Sequence, residues 1–248
     1  MVGGRNTEIW LPYCGAAPDP VELLSRWNFD PLLLTVLIAS TVVGYRRASA
    51  LGTRTPFVAA MATLALLFVS PLCALTSALF AARATHHVIL IAVAAPLLAW
   101  ALPEPRLTRK ISVATTAVLH AGVLWAWHAP AFYAAALSHD AVYWLMQGSL
   151  LGSAFAFWGA VRRSSITSAV GALLGTMVQM GLLGALITFA SVPLYAPHLL
   201  STAPWGLTPL HDQQLAGLIM WAPAAAFYLG AALLIAWRWF DDENRASA

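Results

Sequence analysis

The chain has 248 residues, 60% of them hydrophobic and only 9% charged, with a net charge of +3. Ordinary soluble domains carry about 25% charged residues, and a soluble core of this length cannot hide so much apolar surface. Composition therefore excludes a soluble globular protein. The absence of a Lys/Arg run with interleaved aromatics excludes nucleic acid as a partner. What remains is an all-α, polytopic membrane helix bundle.

In chain order, residues 1–29 read as an outer, periplasmic leader. They contain no continuous apolar stretch, so the first span is expected to act as the uncleaved signal. A crossing helix needs about 20 mostly apolar residues. Seven segments qualify: 30–46, 56–80, 84–102, 111–129, 141–161, 166–190 and 215–237. Together they make a seven-helix transmembrane domain over 30–240, followed by a cytoplasmic tail, 241–248. Pro71 predicts a kink near the far end of the second span, and Pro96 a kink in the third. Neither duplicated halves nor an interdomain linker is visible.

Basic residues set the orientation. With the N-terminus outside, the inner connections hold Arg46, Arg47, Arg54, Arg106, Arg109, Lys110, Arg162, Arg163, Arg238 and Arg245, ten of the thirteen Lys and Arg. Only Arg5, Arg26 and Arg83 stay outside. The positive-inside rule then gives N-terminus out and C-terminus in.

This topology sorts the seven histidines. His86 and His87 open the third span from outside, at the water boundary. His128 closes the fourth, His139 follows it, and His198 and His211 lie in the long outer loop 191–214. Only His120 is deep, about 12 Å of helix rise inward from His128. Neutral imidazole suits copper and zinc, and Cys14, Cys73, Met146 and Met220 add soft donors on or near the same side. Such a set favours Cu(I) over Mg²⁺ or Ca²⁺.

Each residue also has a plainer reading. Interface histidines hydrogen-bond headgroups or loop carbonyls, and His120 can bond a neighbouring helix. The methionines can be packing. Cys14 is an inert loop thiol, a ligand, or the partner of Cys73 in an oxidising compartment. Asp212 can cap the seventh helix or orient an imidazole. No HExxH, GxSxG or Walker pattern is present, so an enzyme is not expected.

Four stretches carry a resemblance. PYCGAAPDPVELLSRWNFDP, HHVILIAVAAPLLAWALP, LWAWHAPAFYAAAL and LHDQQLAGLIMWAPAAAFYL resemble the CtaG family of seven-helix cytochrome c oxidase assembly factors. This is the multi-span type, distinct from the single-span copper chaperone of the same name. Matched residue by residue, the marked positions are His87, His128, Tyr133, Asp212, Gln213 and Met220. The chain departs from the family pattern at Arg83 and Gln147, where relatives often carry histidine. The resemblance implies a multi-pass protein of the bacterial inner (plasma) membrane. It would assist copper insertion into the oxidase catalytic subunit, with a copper donor protein as a further partner and the lipid bilayer around it.

On this reading His87 and His128 face each other and hold Cu(I) transiently. His86, Cys14, Met220 or His211 complete the ligand set, with Asp212, Gln213, Tyr133 and His120 in support. Loop 191–214, rich in proline, is expected to be a docking lid. Two alternatives stay open: a transporter or channel for a metal or small solute, and a b-type haem protein using His120.

Overall fold

The computed structural model describes residues 10, 12–106 and 108–246, and every regular element among them is helical. The leader is pinned to the body before the first helix begins. Cys14 is disulfide-bonded to Cys73, and the Asn28 amide donates to Phe68 O at 3.1 Å. Asp30 then caps α1 (Pro31–Leu51), its Oδ1 accepting from Leu33 N–H at 2.7 Å. Pro31 fits the first turn, where its missing N–H costs nothing. Helix α1 buries only Leu33, Gly44 and Ala48. It leaves Leu32, Val36, Ile38, Val42 and Val43 exposed, a face suited to lipid.

Helix α2 (Arg54–Val69) ends at Ser70, and α3 (Pro71–Ala78) departs at 50°. The expected Pro71 kink is thus a full break. Proline cannot donate to residue 67 and its ring clashes there. Ser70 restores a donor–acceptor balance by accepting from Leu72 N–H at 3.2 Å.

Helix α4 (Phe80–Ile89) runs through a π turn, Leu90–Ala94, into α5 (Ala95–Ala101). The π turn lies just before Pro96. In i→i+5 geometry the Ile91 carbonyl would bond residue 96, which has no N–H. The Trp158 indole takes that place, donating to Ile91 O at 2.9 Å.

Helix α6 (Val113–His128) is capped by Ser112, and Ala129–Pro130 turns the chain into the short α7 (Pro130–Ser138). The long α8 (Asp140–Arg163) and α9 (Ile166–Thr188) follow. A loop with two 3₁₀ turns leads to α10 (Pro209–Trp221) and α11 (Pro223–Ala246). Helices α9 and α10 cross closely where glycines meet. A Cβ on Gly184 would stand 2.7 Å from Gly217 O, and one on Gly217 would stand 2.6 Å from Gly184 O.

Among the described residues four stretches are long and apolar enough to cross a bilayer: Pro31–Leu51, Phe80–Ala101, Ile166–Thr188 and Pro209–Asp241. The bent pair α2–α3 makes a fifth. Seven were expected. Helix α6 has 16 residues, about 24 Å, short of the roughly 30 Å hydrocarbon core. Helix α8 is long enough but carries Gln147, Ser149 and Ser153 and ends in Arg162–Arg163.

Three boundaries differ in ways that matter. The third span starts at Phe80 rather than 84, which draws Arg83 inside the fold. The seventh starts at Pro209 rather than 215, so the HDQQ segment is helical. The expected tail is helical through Ala246, where Arg245 pairs with Asp241 at 2.8 Å. Arg5 and the first part of the leader lie outside the described residues.

Candidate functional site

The candidate site lies where α4, α6, α8 and the 189–208 loop converge. Helix α4 is anchored by an unusual cap. The Asp212 carboxylate, on α10, accepts from Phe80 N–H at 2.7 Å and Ala81 N–H at 3.1 Å. These are orphan donors at the helix start, where negative charge is favoured. Asp212 therefore caps α4. Its own helix is capped by Thr208, which accepts from His211 N–H at 3.2 Å.

The anchored helix projects Arg83, His86 and His87 inward, and all three are buried. The two histidines are not at the water boundary the sequence placed them at; protein encloses them. His87 faces His128 at the end of α6, ring centroids 5.8 Å apart and nearly perpendicular. His86 lies 5.9 Å from His87 and meets Phe68 edge-on at 5.0 Å.

Hydrogen bonds fix part of the proton inventory. His128 Nδ1–H donates to Leu124 O at 2.7 Å, which leaves the Nε2 lone pair as the free donor atom of a neutral ring. Gln147, on α8, sits 3.5 Å from His87 Nε2 through its Nε2. Its Oε1, His87 Nδ1 and both His86 ring nitrogens have no partner among the described residues. Turning the Gln147 amide over would let Oε1 accept from His87 Nε2–H and leave a lone pair on Nδ1. Buried polar atoms are rarely left unpaired, and four together mark a site rather than a core. Gln147 also lines an apolar groove of about 630 Å³ that Leu33, Met61, Phe68, Leu98 and Trp144 help to wall.

Arg83 is the least expected member. Its guanidinium is fully buried, donates to Thr76 O at 3.3 Å and lies 5.3 Å over the Tyr143 ring. Nε and Nη1 have no partner among the described residues. The sequence signal was available: an ionisable residue inside an apolar segment is a functional candidate by default. The four-residue error in the span start hid it.

The loop forms a polar roof. Tyr133 on α7 donates its hydroxyl to His198 Nε2 at 2.6 Å, and His198 Nδ1–H donates to Ala78 O at 3.3 Å. Tyr195 donates to His128 O at 2.9 Å. Burial, with the charge of Arg83 adding to it, holds His198 down at about 3, so the ring is neutral. Burial pushes Tyr133 and Tyr195 above the ordinary phenol range, which keeps their donating protons in place. Gln213 clasps the same loop. Its Oε1 accepts from Leu194 N–H at 2.7 Å, and its Nε2 donates to Ile187 O and Val192 O at 3.3 Å. His198, Tyr195, Arg83 and Gln147 were absent from the expected site set. Nothing in a single proline-rich loop tells a buried histidine from a solvated one.

Other expected members lie elsewhere. Cys14 is bonded to Cys73 and presents no thiolate in this state. His211 is exposed on the first turn of α10. Met220 is buried on the same helix, seven residues and about two turns from Gln213. His120 donates to or accepts from Ser153 at 2.9 Å and stacks on Phe157, which ties α6 to α8. Among the described residues no three His, Cys, Asp or Glu side chains converge as a metal-binding group. The arrangement is a histidine pair.

Comparison with known proteins adds a family. Residues 35–242 match the cytochrome c oxidase caa3 assembly factors, the CtaG family. The chain belongs to this family. No curated protein and no solved structure matches it. The family's match runs from within α1 to within α11, so it covers every residue of the site. An assembly-factor family implies a protein that acts on cytochrome c oxidase, and the apolar helices accord with a membrane location.

Proposed function

We propose that this chain matures a haem–copper oxidase by holding Cu(I) between His87 and His128 and passing it to the catalytic subunit. It acts as a carrier and not as an enzyme. Copper is cargo here. The observation that carries the reading is the buried His87–His128 pair, 5.8 Å between centroids. Two imidazoles sharing one metal stand about 6 Å apart, given metal–nitrogen bonds of about 2 Å. Cu(I) accepts so few ligands, and its preference for imidazole and soft donors fits a pair better than it would fit a hard cation. A low ligand count also leaves the ion free to depart. The Leu124 carbonyl behind His128 and the Gln147 amide behind His87 orient the rings, as outer partners do at metal sites.

In the same proposal all seven segments cross the bacterial inner membrane with the N-terminus outside. The short α6 turns Val118, Leu119 and Trp125 outward toward lipid, and the polar α8 crosses with Gln147 buried against its neighbours. The histidine site then lies near the periplasmic face. The groove that reaches Gln147 opens sideways between α1, α2, α5 and α8, where a membrane partner can approach. A copper donor protein supplies the ion from the leader side.

The test is made in a host lacking the gene. Oxidase activity and the reduced-minus-oxidised haem spectrum of its membranes are measured with and without added copper. The proposal expects activity to fall while a haem signal of altered shape persists, with partial rescue by copper. Complementation by His87→Ala or His128→Ala should fail. Unchanged activity, with no second oxidase present, would overturn it.

A further inference from the structure

Hydrogen-bond donors surround the Cys14–Cys73 disulfide, with a buried cation close by. Cys73 is fully buried, while Cys14 is partly exposed at the leader surface. Each sulfur faces a hydrogen-bond donor that a disulfide uses poorly. Tyr143 O–H lies 3.5 Å from Cys14 Sγ, and Asn28 Nδ2 lies 3.8 Å from Cys73 Sγ. Thr76 Oγ1, now donating to Cys73 O at 2.6 Å, stands 3.9 Å from Cys14 Sγ and can turn toward it. Beyond Tyr143 is the Arg83 guanidinium, which among the described residues pairs with no carboxylate: Asp212 is committed to Phe80 and Ala81. Buried charge without a counter-charge is costly. Donors aimed at sulfur beside a surplus cation are what lowers a thiol's pKa and makes it the better leaving group.

We propose that Cys14–Cys73 is a redox-active pair, opened by an external dithiol, whose reduced form presents two thiolates to a soft monovalent cation beside the histidine site. The reductant's thiolate attacks the accessible Cys14 Sγ. The S–S bond breaks and Cys73 leaves as a thiolate facing Asn28. The second thiol of the reductant then resolves the mixed disulfide and frees Cys14. The reductant departs as a disulfide, having supplied two electrons, and its two protons pass to water or to the freed sulfurs. Arg83 becomes the counter-charge, acting across the Tyr143 ring. The leader loses its covalent tie and keeps only contacts such as Trp205 Nε1 to Pro18 O at 3.1 Å. The metal-binding half of this inference rests on the copper reading above; the exchange half does not.

The exchange half is tested on copper-free, full-length protein in detergent micelles at neutral pH, without denaturant. Dithiothreitol is added and released thiols are counted by maleimide mass tagging. Reduction should go to completion while the protein stays folded. Tyr143→Phe should slow it about tenfold, the loss of one hydrogen bond to a charged sulfur. Asn28→Leu should slow it similarly, which guards against a folding defect in either variant. Resistance until the protein unfolds, or wild-type rates in both variants, would overturn the proposal.

The metal half is read by Ag(I) titration. Reduced protein should bind one equivalent more than oxidised protein, and that extra equivalent should survive in the His87→Ala, His128→Ala double variant. Equal stoichiometry in the two redox states overturns the dithiolate site. Loss of binding confined to the oxidised double variant bears instead on the histidine pair.

Discussion

At the scale of single residues, the chain's polar side chains do more structural work than their spacing suggests. Asp212 was legible as a cap, but the helix it caps lies 131 residues away in sequence; only the fold brings α4 and α10 together. Asp212→Ala should remove two charge-assisted bonds and lower stability by about 1.5–3 kcal/mol. Asp212→Asn, which keeps one acceptor, should cost less. Thermal unfolding in detergent reads both. The Tyr133–His198 bond gives a pH signature. His198 is held at about 3 in the fold and returns to about 6.5 when unfolded. The unfolded chain therefore binds the extra proton first as pH falls. The contribution to stability is present above about 6.5 and is lost progressively from there down to about 3. Unfolding midpoints measured across that window should drop, and His198→Gln should flatten the drop. A residue fully solvated in its loop, as the sequence alone allowed, would give no such difference.

At the scale of elements, proline and glycine positions were the readable part. Pro71 and Pro96 each marked a departure from regular helix, because a missing N–H is a local fact of the sequence. The form of the departure before Pro96 was not readable, since it depends on a remote donor. Trp158, on α8, supplies it at Ile91. Trp158→Phe should leave that buried carbonyl unpaired and cost about 1–3 kcal/mol by the same unfolding measurement. Gly217, inside the DQQxxGxxMW stretch, is the contact point of α10 on α9. Gly217→Ala would place a methyl 2.6 Å from the Gly184 carbonyl. Backbone must then shift, at about 1–3 kcal/mol. Part of that motif is therefore packing, and the same substitution at the exposed helical Gly230, with open space around it, should cost nothing and stabilise by up to about 1 kcal/mol.

At the scale of the whole molecule, the clustering of imidazole at one end of the bundle was legible from spacing and orientation rules. The enclosure of the cluster was not. Hydropathy reports where a segment leaves water on average, and Arg83 and the histidines pull that average down, so the span was started too late. The loop that roofs the site reads as solvated because its burial comes from Gln213 and Tyr133 on other elements. In the proposed function, the enclosed His87–His128 pair is what would hold the cargo, where surface histidines would not. The measurement that tests this most directly is copper K-edge absorption on oxidised, disulfide-bonded protein given one equivalent of Cu(I). One ion should be retained in a low-coordinate environment of imidazole nitrogen, and retention should be lost in both His87→Ala and His128→Ala while Asp212→Asn keeps it. Absence of retention by the folded wild-type protein, or retention unchanged in both histidine variants, would contradict it.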